Sequence, residues 1–223
     1  MFARGELERF PRRVLHPGSA TKAQVSVVEL PAGPVLVKDV AGMHPWIRAI
    51  YGRPVLRREI RALAALDGTP GVPRLLGQVE RDALVMEFVV AETMSRRLPR
   101  ERLVRACAAL GDRVAALHAR GVVHLDLRQK RNVLVTAAGE VVLIDFQSAW
   151  VLGTRGWRGG LLRLLARLDR TAVLKYRERY VPETLSAEER RRARRSRWLA
   201  RLWFFHRLGP LLRALFRRDS RSP

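Results

Sequence analysis

At 223 residues, 48% of them hydrophobic, the chain has room for one globular unit with a sizeable core or two small lobes sharing a cleft, and none for a third full domain. Lysine and arginine number 43 against 21 acidic residues, a formal net charge of +22 that favours anionic partners such as nucleotides, phospholipid surfaces or nucleic acid. A single cysteine, Cys107, excludes an intramolecular disulfide and suits a reducing cytoplasm. The charged opening MFARGELERF does not read as a secretory signal, and the longest charge-free run, Phe146 to Thr154, is too short to cross a bilayer.

From Arg12 to Val40 three short extended runs, RRVLH, AQVSVVEL and PVLVKDV, are separated by Pro/Gly/Ser-bearing turns and predict an antiparallel meander. A helix follows in PVLRREIRALAALDG, opened by Pro54 and closed ahead of Gly68. RLLGQVE and ALVMEFVV then flank the Arg81-Asp82 turn, which makes a small sheet carrying one principal helix, with a break near Ala91 to Ser95. Pro99 to Arg120 reads as an amphipathic helix with Pro in its first turn and Gly121 just past its last. Two further runs, NVLVT and EVVLI, are joined by the turn AAG, and beyond Trp150 the chain turns helical and basic. The expected division is a sheet lobe over 12–90, a helical lobe over 91–185 and a basic tail over 186–223.

An Arg-, Ala- and Leu-rich composition reflects codon bias as readily as a selected basic surface, so rare residue types carry more information. The lysines are only Lys22, Lys38, Lys130 and Lys175, and Asn132 is the sole asparagine. Lys38 lies inside an apolar run, Asp126 and Asn132 in HLDLRQKRN, and Asp145 directly after VVLI. Phosphoryl transfer needs a cation on the phosphates, oxygen ligands for magnesium and a carboxylate aligning the nucleophile, and the chain supplies each in that order.

LHARGVVHLDL, from Leu117 to Leu127, resembles the helix end and catalytic loop of protein kinases; VVLIDF resembles their magnesium-binding segment and LVMEFV their hinge. The resemblance covers about Val14 to Trp150 and implies an α+β, small two-lobed protein-kinase-like fold that uses ATP and Mg2+. It implies that Lys38 pairs the α/β phosphates, that Glu59 fixes Lys38, and that Asp126 receives or orients the acceptor hydroxyl. Asn132 and Asp145 become the magnesium ligands, and the backbone of Glu87 to Val89 holds the adenine. His124 is expected to be scaffolding that bonds backbone near the loop.

The departures from ordinary kinases point to an atypical group. No GxGxxG precedes Lys38; GSATKAQVSVVE stands there, in which Ser19 and Lys22 could contact phosphates, and this is similar to the glycine-poor loop of RIO kinases. Five residues separate Asp126 from Asn132 where typical kinases have four, Gln147 replaces the glycine expected after Asp145-Phe146, and no APE element follows. The shortened helical lobe also resembles bacterial kinases of the lipopolysaccharide core. The implied reaction is transfer of the ATP γ-phosphate to a hydroxyl, on protein Ser/Thr or on a lipid-linked sugar. The alternative is a pseudokinase, a membrane-associated nucleotide-binding module without turnover.

Ser186 to Pro223 is rich in arginine, and SAEE at its start is a capping box with Ser186 as cap and Glu189 three residues on. Trp198, Leu199, Leu202, Trp203 and Phe205 share one face of the expected helix, opposite Arg197 and Arg201. That face either packs on the helical lobe or meets an anionic membrane, which would make a cytoplasmic protein peripheral on the inner membrane. Nucleic acid is disfavoured, since no recognition motif accompanies the charge.

Overall fold

The computed structural model describes residues 2–191. A short helix α1 (Arg4–Leu7) leads into β1 (Arg12–His16), β2 (Gln24–Leu30) and β3 (Gly33–Asp39). One helical turn, α2 (Pro45–Ile47), runs through a π turn (Arg48–Gly52) into α3 (Arg53–Ala65), followed by β4 (Leu75–Val79) and β5 (Ala83–Glu87). The five strands form one antiparallel sheet in the order β1-β2-β3-β5-β4.

Strand alternation sorts this sheet's side chains onto two faces. Val35 and Val37 of β3 and Ala83 and Val85 of β5 join Val28 and Val79 on the outer face. Leu7 is buried against them, and Phe2 and Phe10 pack at its side, so the residues ahead of β1 cover that face. Leu36, Leu84 and Met86 point the other way, toward Leu56, Ala62 and Leu63 of α3, and Lys38 shares their face by register.

The second half is built on β6 (Glu92–Thr93), α4 (Arg100–Ala119), β7 (Val122–Val123), β8 (Val133–Val135), β9 (Val141–Leu143), β10 (Trp150–Val151) and α5 (Gly156–Tyr180). The linker strand β6 pairs with β8, and β8 with β9, while β7 and β10 form a separate two-stranded ribbon. Tyr180 at the end of α5 donates its hydroxyl to the Met94 carbonyl at 2.9 Å, which ties the linker to the last long helix. The principal core runs without a break from Leu56 and Leu63 through Leu103, Leu110 and Leu117 of α4 to Phe146 and Tyr176. A buried leucine of this kind contributes about 1.5–3 kcal/mol. This is the expected α+β, two-lobed kinase-like fold, with an N-terminal antiparallel sheet and a helical C-terminal part.

Cys107 is buried among the α4 leucines, and burial pushes its thiol up to about 11, the behaviour of a packing residue. The capping box at Ser186 is formed in both directions: Glu189 N–H donates to Ser186 Oγ at 3.1 Å and Ser186 N–H to Glu189 Oε2 at 2.9 Å. The aromatic face expected at Trp198 to Phe205 lies outside the described residues. Among the described residues, no helix is long and apolar enough to cross a membrane.

Candidate functional site

Lys38 enters from β3, on the sheet face that looks toward α3. Its Nζ donates to Glu59 Oε2 at 2.7 Å and to Asp145 Oδ1 at 3.1 Å. Glu59 occupies a position of α3 that would otherwise hold an apolar side chain, since Leu56, Ala62 and Leu63 share its buried face. It is 1% exposed and Lys38 8%. Burial acts to lower the Lys38 ammonium, but the two carboxylates overcome it and hold the group above its ordinary value, charged. Burial lifts Glu59 above the usual carboxylate range, with Lys38 pulling it back and Asp145 pushing it up.

Asp145 follows β9 in the left-handed conformation, φ +66°, which turns its side chain back toward Lys38. An aspartate tolerates that backbone better than most residues. The segment is pinned from both sides. Ile144 N–H donates to the Asn132 carbonyl at 3.1 Å, and the Ile144 carbonyl is bonded to His124 Nε2 at 3.0 Å.

Asp126 lies on the loop between β7 and β8. Its Oδ2 accepts from Gln129 Nε2 at 2.6 Å and from Asn132 Nδ2 at 3.0 Å. Asn132 Nδ2 also reaches the Asp126 carbonyl at 3.0 Å. The loop closes on a 3-10 turn (Lys130–Asn132), and the Asn132 amide meets Asp126 across the five intervening residues. His124 is scaffolding: its Nδ1 accepts from Asp126 N–H at 3.3 Å, and its ring lies 4.7 Å from that of Phe146.

Beneath the loop stands a residue that sequence reasoning missed. Asp169 of α5 is 1% exposed; its Oδ2 accepts from His124 N–H at 2.8 Å and its Oδ1 from Leu125 N–H at 2.8 Å. His118 Nε2 of α4 lies 3.1 Å from the same Oδ2. Leu125 has φ +64°, so this carboxylate holds the strained residue directly before Asp126. The available signal was an acid on the buried stripe of α5, between Ala166 and Ala172, flanked by the exposed Arg167 and Arg170.

The remaining expected residues lie apart from this cluster. Ser19 and Lys22 sit at the exposed tip of the β1–β2 loop, closed by Ser19 N–H to Lys22 O at 3.0 Å and Lys22 N–H to Ser19 O at 3.2 Å. Gly18, φ +76°, makes the loop possible, because a Cβ there would lie 2.9 Å from the Gln24 nitrogen. Ser19 Oγ accepts from Thr21 N–H at 3.3 Å. At the hinge, Glu87 N–H is committed to the Arg74 carbonyl at 2.9 Å and its side chain accepts from Arg74 N–H, so neither group is a nucleotide donor. Val89, two residues on, is half-buried.

The donor set fits a hard cation. Asn132 is fully buried, its amide nitrogen is used twice, and its Oδ1 has no hydrogen-bond partner. A buried acceptor left so costs about 1–3 kcal/mol unless something else meets it. Asn132 Oδ1 and the Asp145 carboxylate are oxygen ligands of the kind Mg2+ takes. Among the described residues, no group of three or more His, Cys, Asp or Glu could enclose a metal. Mg2+ commonly takes only one or two protein carboxylates and completes its shell with phosphate oxygens and water.

The family model of the RIO domain matches residues 49–200, more than half of the chain. That span takes in Glu59, the Asp126–Asn132 loop, Asp145 and Asp169, and begins after Lys38. The chain is also similar to the KEOPS complex subunit Bud32 of Pyrococcus abyssi (strain GE5 / Orsay), 32% identical over 105 residues, 46% of this chain and 47% of that protein. It therefore spans about half the length of this curated relative. On the two-lobed fold, the buried lysine clamp and a domain match over most of its length, the chain belongs to the RIO-domain family of atypical kinase-like proteins.

Proposed function

We propose that the chain is an ATP-dependent phosphotransferase that moves the γ-phosphate to a hydroxyl, with Asp126 orienting that hydroxyl. The observation that carries this reading is the loop pairing of Asp126 with Asn132, which leaves a buried acceptor, Asn132 Oδ1, without a donor. Lys38 has three N–H donors and commits two to Glu59 and Asp145, so the third serves a phosphate oxygen. Asp126 has both amide donors on Oδ2, which leaves Oδ1 to accept the proton of the attacking hydroxyl. The Val89 backbone and the Glu87 carbonyl would hold the base, and Ser19 and Lys22 would close over the phosphates. Asn132 and Asp145 would hold magnesium, which when bound neutralises charge on the phosphate oxygens.

The test is ATP consumption by the purified chain with magnesium and with chelator, beside the Asp126→Asn variant. Asparagine can keep the contacts to Gln129 and Asn132 through its oxygen, but it presents an NH2 where the hydroxyl must donate. Transfer should fall by roughly 10²–10⁴-fold, with nucleotide affinity by calorimetry unchanged. Nucleotide binding without consumption by the parent chain would instead establish a pseudokinase module.

The acceptor in this reading is a protein Ser/Thr or a lipid-linked sugar, and the arginine-rich segment beyond Ser186 would hold the cleft near an anionic membrane. Each such cation adds about 1 kcal/mol at an anionic surface. Co-sedimentation with phosphatidylserine vesicles should be strong at low salt and weaker at high salt; indifference to the vesicles at low salt rules out the membrane contact.

A further inference from the structure

Immediately beyond Asp126 the loop is bound to the face of α5 that follows Asp169. Lys175 Nζ donates to the Arg128 carbonyl at 2.8 Å, and Tyr176 OH donates to the Gln129 carbonyl at 3.3 Å. Gln129 in turn holds Asp126 Oδ2. This contact brings Lys175 near Arg128, Lys130 and Arg179, on the stretch of loop that follows Asp126. Burial, and then the charges of Arg128, Arg179 and Lys130, hold the Lys175 ammonium below its ordinary value, and burial lowers Arg128.

Elsewhere among the described residues several half-buried arginines are paired with carboxylates, although Arg113 is not. Arg4 is paired with Asp39, Arg53 with Asp82, Arg102 with Glu92 and Arg177 with Glu189. Among the described residues, no carboxylate forms an ion pair with Arg128, Lys130, Lys175 or Arg179. Like charges held together against a partly buried surface are unfavourable unless a counter-charge arrives from outside the chain. The group is compact, confined to one turn of α5 and a short stretch of loop, which suits one phosphate group rather than the extended track of a polynucleotide backbone.

We propose that Arg128, Lys130, Lys175 and Arg179 form a binding site for a phosphate group carried by the acceptor, so that the chain phosphorylates a hydroxyl on an already phosphorylated molecule. The assignment rests on the reading of Asp126 as the residue that orients the acceptor hydroxyl, and deepens it by naming a substrate class. Lys130 and Arg179 are exposed and provide accessible charge, whereas Lys175 holds the loop through the Arg128 carbonyl and Arg128 is half-buried beside it.

The experiment uses the full chain with its nucleotide site filled by a non-hydrolysable ATP analogue and magnesium, so that added phosphate probes report on a second site. Glucose 6-phosphate should bind and raise the melting temperature, and glucose should do neither. The double variant Lys130→Gln/Arg179→Gln should bind glucose 6-phosphate about tenfold more weakly. Its own melting temperature should be no lower than the parent's, because two mutually repelling surface charges have been removed. Equal binding by parent and variant, or no binding by the nucleotide-filled parent, overturns the site. A single-stranded RNA that binds far more tightly than the sugar phosphate and is lost in the variant also overturns it, in favour of a nucleic-acid surface. Nucleotide binding and turnover, measured first on the same samples, keep the two readings apart. A chain that turns over ATP but ignores the probe loses only the phosphate site. A chain that binds the probe through these residues but no nucleotide loses the acceptor role.

Discussion

Asp145→Asn is expected to lower Mg-ATP turnover more than a thousandfold and to leave the fold standing. The carboxylate has two separable roles: it accepts from Lys38 at 3.1 Å and it supplies negative charge at the proposed metal position. Asparagine can keep the first through its amide oxygen and cannot supply the second. Loss of an anionic ligand is worth several kcal/mol of transition-state stabilisation, and each 1.36 kcal/mol is about tenfold in rate. The backbone gives no confounding penalty, because asparagine tolerates the left-handed conformation found at this position. Lys38 keeps Glu59 at 2.7 Å, so the melting temperature should move by no more than about 4 °C. Turnover and melting measured on one preparation decide the matter. Near-parental turnover would remove Asp145 from the proposed metal site.

Asp169→Ala should produce the largest loss of stability outside the hydrophobic core. The side chain is 1% exposed and accepts from two backbone N–H groups, with His118 as a third neighbour. Alanine leaves both N–H groups buried without acceptors, at about 1–3 kcal/mol each, and opens a small void. A total of about 3–5 kcal/mol corresponds to a fall in melting temperature of roughly 10 °C. Asp169→Asn should fall between parent and alanine, because one of its two positions becomes an NH2 facing an N–H. Activity measured well below the melting transition should also drop, since Leu125 is the residue before Asp126. A variant that melts with the parent would show that the loop does not depend on this carboxylate.

Much of the fold was legible because its strands are short β-branched runs between Gly and Pro turns, and because α4 carries its breakers at both ends. The loop residues were legible for a different reason: in an arginine-rich chain, a lone asparagine and a lysine inside an apolar strand stand out. Glu59 was reachable only through the resemblance, because three arginines within four residues of it, Arg57, Arg58 and Arg61, give its stretch the look of a solvated face. Helical geometry places it with Leu56 and Leu63 instead. Asp169 was hidden in the same way by Arg167 and Arg170. The cover that Phe2, Leu7 and Phe10 make over the outer sheet was not legible either, since MFARGELERF reads as charged and those three residues follow neither strand nor long-helix spacing. What local pattern could not reveal is which polar residue a distant element needs.

That distance has a consequence during synthesis. All five strands of the first sheet, with α3, are present once residue 87 has been made. The loop bearing Asp126 gains its support only later, from Asp169 across 45 positions of sequence, from Tyr176 across 47 and, for the linker, from Tyr180 across 86. On a ribosome adding about 5–20 residues per second, the sheet can close while the loop is still an untethered strand of nascent chain. The half of the cleft that carries Lys38 and Glu59 can therefore assemble first, and the half that carries Asp126 waits for the last long helix to emerge.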